Sequence, residues 1–217
     1  MIFDRINYKA AAKEQLKGNV WMIFLCSIIV GAIIGAIEFI PIAGAIAAVV
    51  LAPVLYMGMY YLFMDVQSGK KPEVATIFKG FSADFGRIWL LFFLMGLYTL
   101  LWSLLFFIPG IVKSYAYSMA PYILAENPNM TANEAITRSK EITMGHKGDL
   151  FVMDLSFIGW GLLITITFGL VGIYAGPYMA LTKVNASHAL KGNAPTAQIY
   201  DAPAEEPAEK PELSDHE

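Results

Sequence analysis

Cysteine occurs once in the 217 residues, at Cys26, so no intrachain disulfide can form and nothing follows about redox compartment. Histidine occurs three times, at His146, His188 and His216, without the spacing that holds a metal ion. Charged residues make up only 15% of the chain and are absent from 20–37, 39–64, 88–112 and 155–182. There is no nucleotide-binding loop, zinc-protease histidine pair, nucleophile elbow or dinucleotide fingerprint. Nothing therefore motivates an enzyme, a cofactor, a metal or a nucleic-acid partner.

What fills the space is apolar. Hydrophobic residues account for 57% of the chain, and the mean hydropathy is +0.54. Each charge-free stretch has 18 residues or more, and about 18 to 20 apolar residues in a helix cross the hydrocarbon core of a bilayer. The expected class is all-α, a polytopic membrane helix bundle. Residues 1–17 are too long and too mixed for the charged start of a signal peptide, and no small-residue cleavage site follows, so 20–37 is expected to remain as a membrane helix.

Arithmetic on the longer stretches gives six spans, at roughly 19–39, 42–66, 87–107, 109–125, 149–168 and 171–190. They pair into three hairpins, turning at Pro41 and Gly44, at Pro109 and Gly110, and at Gly169 and Gly172. A five-span alternative treats 155–182 as one long tilted helix. Lys and Arg accumulate on the cytoplasmic side of membrane proteins. Here they cluster before the first span, between the second and third, between the fourth and fifth, and at Lys191; the other side has only Lys113. Both termini are thus expected in the cytoplasm. Residues 1–194 form the expected membrane domain. Residues 195–217 read as a disordered acidic tail, since 201–217 carry seven acids against one base and no apolar periodicity.

A shift of 68 residues exposes an internal repeat. It lays Gly18 on Gly86, Trp21 on Trp89, Phe24 on Phe92, Phe39 on Phe107, Ile40 on Ile108, Pro41 on Pro109 and Pro53 on Pro121. A fainter third copy sets Gly110 on Gly172, with Pro177 out of register. Each unit reads as a short cytoplasmic helix followed by a two-span hairpin whose returning span holds a proline. Thr131 to Glu134 forms a capping-box pattern for one such helix, and Gly145 is placed to stop it. In another, Arg5, Lys9, Lys13 and Lys17 recur every four residues and line one helix face, suited to anionic lipid head groups at about 1 kcal/mol per residue near the surface. A solvated face obeying the charge rule explains the same stripe.

Ionisable residues near membrane depth are Glu38, Asp65, Lys113, Asp154 and Lys183, and a lone charge in hydrocarbon costs several kcal/mol. Asp65 ends its helix. Glu38 and Lys113 lie about four residues, roughly 6 Å, from the outer turns. Lys113 can snorkel outward or pair with Glu38 across hairpins. Asp154 and Lys183 fall at similar depth on adjacent antiparallel spans, as an ion pair or as part of a substrate or ion site. Tryptophans and tyrosines fall mostly near helix ends, as interfacial anchors do. Gly31 and Gly35 have the four-residue spacing that lets helices approach closely.

The stretch from Phe107 to Pro128, followed by Thr131 to Trp160 with its capped helix and Gly148-Asp149 start, resembles the bacterial integral-membrane family catalogued as domain of unknown function 975. The resemblance spans most of 1–192. It implies a six-span fold, supplies no catalytic residues, and leaves the acidic tail outside. The combined expectation is a non-enzymatic membrane protein that engages lipids or protein partners, including further copies of itself, at its cytoplasmic face. The rival is a small permease with a path between the hairpins lined by Asp154, Lys183 and the proline-broken helices.

Overall fold

A computed structural model describes residues 3–40, 42–82 and 85–192, and among these the regular structure is helical with no strand. Helix α1 (Arg5–Leu16) begins at Asp4, whose carboxylate accepts from the Ile6 and Asn7 amides and so satisfies two orphan donors of the first turn. It buries Tyr8, Ala12 and Leu16. Gly18, at φ +81°, then turns the chain into α2 (Val20–Glu38), a conformation open to glycine at little cost. Helix α3 (Ala43–Gln67) returns beside α2. A 3-10 turn (Val74–Phe78) and α4 (Lys79–Ser82) fold back against α3, so closely that a Cβ at Gly58 would collide with the Ile77 backbone.

The second hairpin is α5 (Phe85–Leu105) and α6 (Phe107–Tyr117), extended by α7 (Ala120–Glu126). Helix α8 (Ala132–Ile142) starts with the expected capping box. The Thr131 hydroxyl accepts from the Glu134 amide, and the Glu134 carboxylate accepts from the Thr131 amide at 2.8 Å. Gly145, at φ +84°, ends the turn that follows it. Helices α9 (Lys147–Leu155) and α10 (Ile158–Ile166) continue one another across Ser156 and Phe157, and α11 (Gly172–Leu190) returns. Ten residues of α11 are buried and none of α10, so α11 is a central post and α10 an outlying one. Helix α1 packs chiefly along α11.

Four helical segments are long and apolar enough to cross a membrane: Val20–Glu38, Gly44–Gln67, Phe85–Leu105 and Lys147–Ile166. These support a membrane-associated protein. The other two expected spans differ in kind. Residues 107–126 are split between α6 and α7, and α11 carries Lys183, Asn185 and His188 on a largely buried surface.

Several expectations are corrected by the backbone. The second hairpin reverses at Phe106, in extended conformation (φ −157°, ψ 136°), while Pro109 and Gly110 sit inside the first turn of α6. A first helical turn tolerates proline because its N–H would lack a partner anyway. Gly110 is needed for a close approach, since a Cβ there would strike the Ser103 side chain. The one long tilted helix over 155–182 is not formed, because the chain turns between α10 and α11, with Phe168 at φ 50° and Gly169 at φ +89°. Gly31 and Gly35 are exposed, and no neighbouring atom lies within 4 Å of where a Cβ would stand, so they serve no close helix contact within the chain. Pro53 lies within continuous α3, whereas its expected counterpart Pro121 follows a break at Ser118 and Met119. Pro41 and residues 195–217 lie outside the described residues.

The turns at one end are apolar and bare. Phe39 is 90% exposed, Phe106 71% and Phe168 98%, with Ile42, Ile108 and Leu170 beside them. The opposite end collects the charges: Asp65 pairs with Lys70 and Lys79, each at 3.2 Å, and Arg87 donates to the carbonyls of Asn127, Pro128 and Met130.

Candidate functional site

Asp154 stands at the last turn of α9 and Lys183 midway along α11. Their placement on facing helices brings Lys183 Nζ to 3.1 Å from Asp154 Oδ2. The same carboxylate oxygen accepts from the Tyr115 hydroxyl of α6 at 3.2 Å. Three helices thus meet at one carboxylate. Such a pair in open water contributes about 0–1 kcal/mol. At the walls of an apolar bundle the alternative, an unpaired charge, is far costlier.

Beside Lys183 lies a cleft of about 310 Å³ between α3, α7 and α11, lined by Tyr56, Met59, Tyr60, Phe63, Tyr122, Met179, Ala180 and Lys183. Tyr122 is 4% exposed, and its ring meets that of Tyr60 edge-on, with centroids 4.8 Å apart. Each of the three helices holds a proline close to the cleft: Pro53, Pro121 and Pro177. The residue after each proline, Val54, Tyr122 or Tyr178, is buried.

Glu38 and Lys113 are not brought together among the described residues. Lys113 Nζ lies 4.5 Å above the Trp102 ring, so α5 and α6 of one hairpin hold the cation against an aromatic face. Of the α1 stripe, Lys9 turns inward, donating to Ser156 Oγ and standing 4.3 Å over the Phe157 ring. Burial first, then the neighbouring Arg5 and Lys13 charges, push the Lys9 ammonium below its ordinary value. Lys13 lies 6.0 Å from the Tyr178 ring, and Lys17 pairs with Glu14 at 2.5 Å. Arg5, Lys13 and Lys17 remain exposed.

Three contacts were invisible in the sequence. Glu126, closing α7, takes His188 Nε2 at 3.0 Å and Lys191 Nζ at 2.6 Å, which ties α7 to the end of α11. Burial pushes the Glu126 carboxyl up, but the nearby His188 ring and the Lys191 ammonium outweigh it and hold the group below its usual range. Ser139, fully buried on α8, stitches the break between α6 and α7: its hydroxyl donates to the Ala116 carbonyl at 2.7 Å and accepts from the Met119 amide at 3.2 Å. Pro121 has no N–H and its ring excludes a helical carbonyl four residues earlier, so the break needs outside partners. Asn185 anchors α1, donating to the Tyr8 carbonyl at 3.2 Å. The only sequence signal for any of them is polarity inside an apolar pattern.

Residues 104–194 match the family model described as protein of unknown function (DUF975). The match supports the family assignment made from the sequence. It takes in α6 to α11, with Lys113, Asp154, Lys183 and Ser139. Neither a curated protein nor a solved structure matches the chain.

Proposed function

We propose that this is a non-enzymatic integral membrane protein of a bacterial plasma membrane, set with its apolar turns in the outer leaflet and its charged end in the cytoplasm. There the exposed cations of α1 engage anionic lipid head groups. The observation that carries the reading is the division of the molecule: bare aromatic and aliphatic turns at one end, paired charges and a basic amphipathic helix at the other. Exposed apolar surface costs about 25 cal/mol per Å² in water and nothing in hydrocarbon. Cations beside a membrane gain from anionic lipid. In this arrangement all three hairpins cross the bilayer, with α7 and α11 shielded inside the bundle, and the repeat relates successive hairpins by rotation about the membrane normal.

Lipid co-purification tests it. Full-length protein extracted in a mild neutral detergent is expected to retain anionic over zwitterionic phospholipid, and Arg5→Glu with Lys13→Glu and Lys17→Glu is expected to abolish the preference. Equal retention by both proteins would remove α1 from the reading.

The permease remains a second reading because the cleft beside Lys183 reaches the interior between three proline-bearing helices. A cysteine at Ala180, on a Cys26→Ala background, labelled by impermeant reagents from both faces of the membrane would favour it. Labelling from one face or neither counts against a path.

A further inference from the structure

The cleft between α3, α7 and α11 combines features that packing alone leaves unexplained. Its floor holds Tyr122, 4% exposed, and beside it Tyr60, and neither phenol has a hydrogen-bond partner among the described residues. Neither hydroxyl is fully enclosed, so each can be reached by an occupant that accepts a hydrogen bond. Lys183, on the wall, spends one of its three N–H donors on Asp154 and has the others free for an occupant. Donors therefore converge, with no acceptor among the cleft side chains other than the phenols themselves. The rest of the lining is Met59, Phe63, Met179 and Ala180, which is flexible, apolar and matched to hydrocarbon.

Depth sets the orientation. Lys183 is seven residues from Leu190 at the charged end of α11, about 10 Å along the axis. Met179 is one turn farther from that end. An occupant whose anionic oxygens meet Lys183 thus runs its apolar part toward the membrane centre, as a lipid of that leaflet does. About 310 Å³ lies at the lower limit of ligand pockets, commonly ~300–1,000 Å³, which suits one chain rather than two.

We propose that this cleft is a binding site for a single-chain anionic amphiphile, whose oxygens accept from Lys183, Tyr122 and Tyr60 and whose chain lies against Met179, Met59 and Phe63. The assignment rests on the membrane placement proposed above but not on head-group binding by α1. Asp154 is a restraining partner in it, holding Lys183 at the wall and weakening its pull on the ligand.

The test is native mass spectrometry of the full chain in neutral detergent, with oleate, methyl oleate or acetate as probes. One oleate per chain is expected, with methyl oleate and acetate each bound at least about tenfold more weakly, the cost of losing a hydrogen bond to a charged group or the apolar contacts. Lys183→Gln and Tyr122→Phe are each expected to lower oleate occupancy, and Met179→Trp to block it by filling the cleft. Asp154→Asn is expected to raise it. Tyr122→Phe and Met179→Trp leave the ion pair intact, so they decide the matter even if charge variants fold poorly. Methyl oleate binding as well as oleate, acetate binding as well as oleate, or unchanged oleate occupancy in both Tyr122→Phe and Met179→Trp overturns the proposal. The α1 charge reversals are expected to leave oleate occupancy unchanged, so head-group binding and cleft binding fail separately.

Discussion

The side-chain amides of Gln15 and Asn185 face each other across α1 and α11 and bond in both directions, each at 3.1 Å. Asn185 is 1% exposed, and its NH₂ also reaches the Tyr8 carbonyl. One buried amide therefore joins two positions a full two turns apart on α1. Asn185→Leu is expected to destabilise the protein by about 1–3 kcal/mol through the orphaned Gln15 and Tyr8 groups. Hydrogen exchange is expected to rise across 5–16 more than elsewhere. Uniform exchange in wild type and variant would show that α1 is held by other contacts.

Ser139 makes a sharper case because a single oxygen serves both sides of a helix break. Ser139→Ala removes only that oxygen, leaving the Ala116 carbonyl and Met119 amide without their partner. A loss of about 1–3 kcal/mol is expected in thermal or chemical unfolding in detergent. A variant as stable as wild type would mean that α6 and α7 close the break unaided.

Glu126 sets an acid limit. Its folded pKa lies below the ordinary 4.5, so its contribution is complete above that value and is lost as pH falls through the lower folded value. Glu126→Gln is expected to lower stability at neutral pH and to flatten the acid limb of a melting-temperature profile. Should the profiles of wild type and variant run parallel, the His188 and Lys191 contacts carry no net stabilisation.

The apolar turns give a prediction about placement. Cysteines replacing Phe39, Phe106 or Phe168 on a Cys26→Ala background are expected to react with a lipid-soluble maleimide and to resist a charged, impermeant one in intact cells. A cysteine at Lys70 is expected to react with the charged reagent only after permeabilisation. Rapid labelling of the Phe168 position from outside would place that turn in water.

Local chemistry was legible where it acts over a few residues. Thr131 and Glu134 announce their capping box because both partners lie within one turn, and Gly145 and Gly169 mark reversals because only a positive φ closes them cheaply. Asp154 and Lys183 could be placed at equal depth by counting residues along two antiparallel spans. The turn at Phe106 falls a few residues before the expected Pro109 and Gly110, and the break before Pro121 is absent from the expected continuous span, since proline fits both a turn and the first turn of a helix.

The amino-acid order by itself determined an all-helical chain with segments long enough to cross a bilayer and charges excluded from them, because backbone groups in hydrocarbon must bond within their own helix. Only the tertiary structure decided which side chains meet. Lys9 leaves the α1 stripe for Phe157, Lys113 folds onto Trp102 rather than toward Glu38, and Tyr122 joins Lys183 at one cleft. These outcomes depend on the rotation and offset of each helix against its neighbours, which packing of the whole bundle sets and no hydropathy period specifies.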